Sequence, residues 1–240
     1  MDRSDHSHMD SKDRLMFYGR RHGRRLRPRQ MEYLEEGMAR FGMDLTCPTG
    51  KADLMPRDFF DHAPEDIFLE IGFGGGEHLA ARAVETPKAG FIGAEPFMNG
   101  VASLCRHVIE NQTSNTVIWP EDIRLLLPSL KAETLAGVFV LFPDPWPKSR
   151  HRDRRIIQQE MLDELYRLIR PGGTLLLASD EPTAKTWMLS QMMRRHDFEW
   201  QAETAKDWQT PPEGWPGTRY MAKADREGRR SSWFVFTRNP

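Results

Sequence analysis

Cysteine is nearly absent from this chain: Cys47 and Cys105 are the two among 240 residues, and no short spacing joins them. Neither a disulfide framework nor a thiolate zinc site is implied, and a reducing cytoplasm is the expected compartment. Long apolar runs are missing as well. None approaches the roughly 20 residues of a membrane helix. The first thirty residues are polar and charged, so no signal peptide and no membrane are expected. Charge of one sign is not in excess either, since 34 Lys and Arg stand against 35 Asp and Glu. Net charge therefore says nothing about a polyanionic partner.

The distribution of charge says more. Residues 12–29 carry eight Lys or Arg against one Asp, and residues 148–155 carry five against one. The remainder is net acidic, so the positive charge is local. Residues 1–13 lack hydrophobic periodicity and are expected to be disordered. Residues 14–30 form a basic arm whose composition opposes a regular helix. Residues 31–240 have the length and apolar content of one sizeable domain.

Hydrophobic period supplies the order of elements. A short amphipathic helix is expected over Arg29–Gly42. Asp66–Arg82 reads as strand, glycine loop and helix. Ala89–Glu95 reads as a strand, Gly100–Asn111 as a helix and Thr116–Trp119 as a strand, with Glu121-Asp122-Ile123-Arg124 opening another helix. Leu135–Phe142 is a fourth strand. Arg155–Ile169 repeats Ile157, Met161, Leu165 and Leu168 at helical spacing, and Pro171-Gly172-Gly173 stops that helix. Thr174–Ser179 is a fifth strand, Pro182–Arg195 a helix, and Phe198–Thr204 and Ser232–Thr237 two closing strands. This order predicts an α/β fold: a doubly wound, mostly parallel, seven-stranded sheet with an antiparallel edge.

Glu70-Ile71-Gly72-Phe73-Gly74-Gly75-Gly76 lies where the first strand turns into its helix. Glycines permit a sharp turn and let a cofactor lie against bare backbone. A dinucleotide fingerprint requires a third glycine at the position of Glu77, and a carboxylate at a helix N-terminus would repel a pyrophosphate. The same loop fits an acid-x-Gly-x-Gly-x-Gly pattern, which resembles the first motif of class I S-adenosylmethionine methyltransferases, whose cationic sulfonium a carboxylate at the loop start would favour. Glu95 ends the second strand and Asp122 follows the third, each placed to meet a cofactor or to cap the next helix. Strand four ends in Phe142-Pro143-Asp144-Pro145-Trp146-Pro147. Three prolines preset this turn, so Asp144 and Trp146 are held before any substrate arrives.

With the cationic run that follows, these motifs resemble those of bacterial tRNA (guanine-N7)-methyltransferases, within the class I S-adenosylmethionine-dependent superfamily. The likeness runs from about Arg20 to Phe236 and includes Arg20-Arg21-His22-Gly23-Arg24 and Arg170-Pro171-Gly172-Gly173. It implies a Rossmann-like methyltransferase fold, S-adenosyl-L-methionine as cofactor and methyl transfer to N7 of the variable-loop guanine, position 46, of tRNA. It implies cofactor contacts from Glu70, Gly72, Gly74, Glu95, Asp122 and Asp144, with Asp144 also catalytic. RNA contacts are implied for Arg150, His151, Arg152, Asp153, Arg154 and Arg155, joined by Arg20, Arg21, Arg24 and Arg25 of the arm. Substrate contacts are implied for Lys148, Asp180 and Thr218-Arg219-Tyr220-Met221.

Met221 departs from the family pattern, which has Glu at that position. Asp180 alone, or Asp225 or Glu227, is left to hold the guanine edge, or the pocket is weakened. No metal is expected. A monomer and a homodimer are equally compatible with the sequence. Two rivals remain at this stage, an NAD-dependent oxidoreductase and a non-catalytic tRNA-binding module.

Overall fold

The computed structural model describes residues 19–43, 53–217 and 219–240. The expected disorder of residues 1–13 lies outside that description, as do Cys47 and Thr218. Seven strands form one sheet: β1 (Ile67–Ile71), β2 (Gly90–Ala94), β3 (Thr116–Trp119), β4 (Leu135–Leu141), β5 (Ile169–Ser179), β6 (Phe198–Trp200) and β7 (Ser232–Arg238). Their spatial order is β3-β2-β1-β4-β5-β7-β6. The first five are mutually parallel, and β7 runs antiparallel to both β5 and β6.

Helices α1 (Pro28–Phe41), α2 (Glu77–Glu85) and α3 (Met98–Asn111) cover one face. Phe41, Leu79, Val101, Leu104 and Val108 pack there on Phe91 and Ile118. Helices α4 (Gln159–Leu168) and α5 (Pro182–Met192) cover the other, where Met161, Leu165 and Met188 meet Leu69, Val138 and Leu175. Strand β4 is buried along its whole length, which is why LAGVFVL reads as an unbroken apolar run rather than an alternating one. Helices α6 (Ala205–Gln209) and α7 (Arg219–Arg226) lie in the connection between β6 and β7.

Several expected boundaries are corrected. The helix expected from Glu121 is instead two short 3-10 turns, Ile123–Leu125 and Leu127–Ser129. Pro128 sits in the second turn, where it lacks an N–H and obstructs a regular helix. Helix α4 starts at Gln159, not Arg155, and ends before the Pro-Gly-Gly segment. Ile169 is already in the sheet, paired with Leu135, and the register shifts before Gly137 meets Thr174. Gly172 takes up that irregularity at φ +75°. The sixth strand stops at Trp200, and Thr204 with Asp207 forms a capping box that starts α6.

Candidate active site at the strand tips

The sheet order reverses between β1 and β4, and open α/β sheets bind ligands in the crevice outside such a switch point. The glycine loop leaves the tip of β1, and the proline-rich turn leaves the tip of β4. Ile71 and Val140 are register partners, so the two segments emerge side by side. Between them lies a cavity of about 860 Å³.

Gly72, Gly74 and Gly76 take φ values of +73°, +57° and +78°, which a side chain would strain. Gly100 of α3 abuts the carbonyl oxygen of Gly74, and a Cβ there would overlap it. The loop is thus clamped from below by a helix that carries no side chain at the contact. Glu95 fastens it from the side. Its Oε2 accepts the N–H of Gly74 and its Oε1 the N–H of Phe97, each at 2.9 Å. Burial raises the pKa of Glu95, and these two hydrogen bonds offset only part of the rise. A carboxylate has about four acceptor positions, so both oxygens keep capacity toward the cavity.

The other expected cofactor acids are placed differently. Asp122 lines the cavity, but its oxygens already accept the backbone N–H and the guanidinium of Arg124, at 2.6 to 3.1 Å. Glu70 is not among the residues lining the cavity. Successive strand residues face opposite sides; Ile71 faces the cavity and Glu70 the opposite face. There Glu70 Oε2 lies 2.7 Å from His78 Nδ1, and both residues are 4% exposed. His78 in turn lies against Trp215, with ring centroids 4.7 Å apart.

Asp144 is exposed and lines the cavity, in the turn that Phe142 and Trp146 bracket. Both are non-glycine residues at positive φ, +50° and +41°, a conformation that costs about 1–3 kcal/mol each. Phe142 is held by its N–H, which donates to Ala178 O at 2.7 Å.

The cationic run forms a 3-10 turn, Ser149–Arg154. Arg150, Arg152 and Asp153 are exposed on it, and Lys148 is exposed just before it. Arg154 stands over the Trp146 ring at 5.0 Å, and His151 meets that ring edge-on. Loss of solvent, then Arg154, Arg150 and Lys148, lower the pKa of His151. Arg155 turns inward toward the carbonyls of Pro145 and Trp146.

The basic arm folds back on the site. Gly19 and Arg20 line the cavity, and Arg21 makes a bidentate pair with Glu121. Asn99 binds Gly23 N–H and Arg24 O, while Arg24 and Arg25 stay exposed. Sequence patterning missed the Arg21–Glu121 pair, which joins residues far apart in the chain with no local signal.

Of the substrate segment, Thr218 lies outside the described residues, and Arg219–Arg226 forms a helix. Met221 faces the protein: its Sδ accepts Trp215 Nε1–H at 2.9 Å. Asp180 is bound by Arg229 Nε at 2.7 Å, and Glu227 pairs with the same arginine. Lys148 precedes the cationic turn, and Asp180 follows the tip of β5. Among the described residues, no group of three or more His, Cys, Asp or Glu is placed to hold a metal ion, and no helix is long and apolar enough to cross a membrane.

A family model described as "Putative methyltransferase" matches residues 64–233. The chain is 44% identical over 222 residues to the tRNA (guanine-N(7)-)-methyltransferase of Mesorhizobium japonicum, covering 92% of this chain and 94% of that one. It is 42% identical to the enzyme of the same name from Brucella melitensis, with the same coverage. Among solved structures, an rRNA methylase from Streptococcus thermophilus superposes with a TM-score of 0.52 at 10% identity, covering 73% of this chain and 88% of that one. The 16S rRNA methyltransferase KamB does so at 0.50 and 16% identity, covering 74% and 89%. These structures share the Rossmann-like methyltransferase fold.

Proposed function

The chain belongs to the family of tRNA (guanine-N(7)-)-methyltransferases, and from that premise we propose how its strand tips perform the reaction. It is an enzyme that transfers a methyl group to N7 of a guanine in tRNA. The donor is S-adenosylmethionine and the acceptor the variable-loop guanine at position 46. It acts in the cytoplasm, and residues 31–240 work as one methyltransferase unit.

The residues of the cavity suit this donor. Its volume matches a ligand of that size, and Gly72 and Gly74 leave bare backbone beside it. Glu95 has acceptor capacity for a ribose diol, and apolar Ile71, Ile123 and Leu127 line the rest. Acids around the site favour a cation and disfavour a pyrophosphate, which sets aside the dinucleotide alternative. When bound, the donor supplies an electrophilic methyl group on a positively charged sulfur.

Asp122 bounds the cofactor end with Arg124. Glu70 acts at one remove, fixing His78 and so the base of α2. Asp144, on the cavity lining, would meet the donor and the base. Guanine N7 carries an in-plane lone pair, so no base need remove a proton first. A bound donor would pass its methyl group to that lone pair and keep the C–S electron pair on sulfur, so that the positive charge would fall on the purine. Asp144 stabilises that charge from a fixed position. Asp180 accepts from the guanine N1–H and N2–H edge through Oδ1, since Arg229 occupies its Oδ2 and Met221 is turned away. Arg150, Arg152 and Arg154 hold tRNA phosphates, assisted by Arg24 and Arg25.

One observation carries this reading: Gly74, Glu95 and Asp144 line a single cavity across the switch point. The test is transfer of labelled methyl from S-adenosylmethionine to unmodified tRNA, with the product nucleoside and its position identified. 7-Methylguanosine at position 46 is expected. A label on another atom or base, or no transfer at all, would reject the assignment.

A further inference from the structure

The turn that carries Asp144 is stabilised by a brace that neither the motifs nor the comparisons assign. Arg155 Nε donates to Pro145 O at 3.2 Å and to Trp146 O at 3.3 Å, and Nη2 donates to Trp146 O at 3.0 Å. The same guanidinium lies over the ring of Trp187 in α5, 4.6 Å from its centroid. Trp187 is fixed in turn, since its Nε1–H donates to Ile157 O at 2.6 Å. Gln158 closes the network by donating to Arg155 O at 3.0 Å and Arg152 O at 2.8 Å.

Such a brace answers a physical need. Phe142 and Trp146 sit in the left-handed region on either side of Pro143-Asp144-Pro145, and strained backbone persists only where its surroundings over-determine it. Pro143, Pro145 and Pro147 have no N–H to donate. The turn can therefore be tied down mainly through its carbonyls. Two of these carbonyls go to Arg155. A planar fork can bind both and still lie flat on an indole; an ammonium cannot.

We propose that Arg155 and Trp187 are positioning residues for methyl transfer, holding the Asp144 turn in place, and that Arg155 is not a tRNA phosphate contact. The proposal rests on the role given to Asp144 above. Arg155 keeps its charge near the RNA surface, but its donors serve the turn. Trp187 takes no part in binding the donor or the base, yet loosening it shifts Asp144.

The test uses the full chain with Arg155→Lys, Trp187→Leu, Trp187→Phe, the Arg155→Lys/Trp187→Leu double variant, and each of Asp144→Asn and Asp144→Asn/Arg155→Lys. Single-turnover methylation, tRNA affinity across salt concentrations and thermal melting are measured. Arg155→Lys and Trp187→Leu are each expected to slow methylation by about tenfold, the scale of a sub-ångström misplacement. Their tRNA affinity and salt slope should stay within about twofold of the native values. The double variant should be no slower than the worse single, because both remove one brace. Trp187→Phe, which keeps a ring face for the guanidinium, should recover most of the rate. In the Asp144→Asn background, Arg155→Lys should add little.

Native rates in both Arg155→Lys and Trp187→Leu would overturn the proposal. So would a weakened tRNA affinity with a salt slope lowered by about 0.7–0.9 in an added Arg155→Gln variant beside a silent Trp187→Leu, which would make Arg155 a phosphate contact. Multiplicative losses in either double variant would also overturn it. If Trp187→Leu fails to fold, Arg155→Lys and Trp187→Phe make the same comparison. Near-native turnover in Asp144→Asn would count against the role of Asp144 itself; an inactive Asp144→Asn beside native-rate brace variants would count against the brace alone.

Discussion

Glu95 accepts the backbone N–H of Gly74 at 2.9 Å, so the acid that follows β2 fixes the glycine loop that follows β1. Its pKa is raised by burial above the ordinary 4.5. A raised carboxylate favours the folded state below its ordinary value, and that contribution is lost as pH rises through the raised value. The melting temperature of Glu95→Gln, relative to the native chain, should therefore improve from about pH 4 to about pH 7. Affinity for S-adenosylmethionine should fall by about tenfold or more with loss of the charged acceptor. Melting curves across pH and calorimetric titration check the two effects separately, and an opposite pH trend would contradict the effect of burial.

Asp144 is exposed, so Asp144→Asn should leave stability within about 0.5 kcal/mol of native. Methylation should drop on the order of 10²-fold, the usual scale for removing one fixed electrostatic partner of the transition state. Denaturant unfolding and single-turnover rates measure the pair.

Gly100→Ala places a methyl group against the carbonyl oxygen of Gly74. Overpacking of this kind costs about 1–3 kcal/mol. The loop must shift to accept it, so donor affinity should fall along with the unfolding midpoint. Native donor affinity in a stable Gly100→Ala protein would show that the clamp is not needed.

Arg150 and Arg152 are exposed on the cationic turn. Replacing both with Gln should reduce the salt slope of tRNA binding by roughly 1.4 to 1.8, at about 0.7–0.9 for each phosphate contact. Arg21→Gln should change that slope far less, because Arg21 is already paired with Glu121. Filter binding over a range of salt concentrations compares the two variants directly.

Cys105 is fully buried, and burial pushes its thiol up to about 12. The folded protein should protect it from alkylation at mildly alkaline pH, where an ordinary cysteine reacts. Peptide mapping after pulse alkylation should show Cys105 modified only as denaturant unfolds the chain.

Local pattern carried much of the fold. The apolar run of β4, the helical spacing of Met161, Leu165 and Leu168, and the glycine loop between β1 and α2 were all legible, because period and backbone-permissive residues act within a few positions. Element ends were less so. Ile169 reads as the last residue of a helix, yet pairing with Leu135 draws it into the sheet. Glu121 reads as a helix start, yet Pro128 splits the segment into two short turns. The Thr204 and Asp207 capping box is a local signal for the start of α6.

Residue types and their order along the chain determined the parallel sheet, the acids and glycines at successive strand tips and the cationic turn beyond Asp144. Each of these follows from chemistry local to a segment. Folding alone decided how those groups are used. Glu70 turns from the cavity to meet His78, Arg21 reaches Glu121, and Arg155 leaves the basic run to lie on Trp187. Such partners are joined by crossovers between elements, where side-chain direction and distance depend on how the layers pack and not on neighbours in the chain.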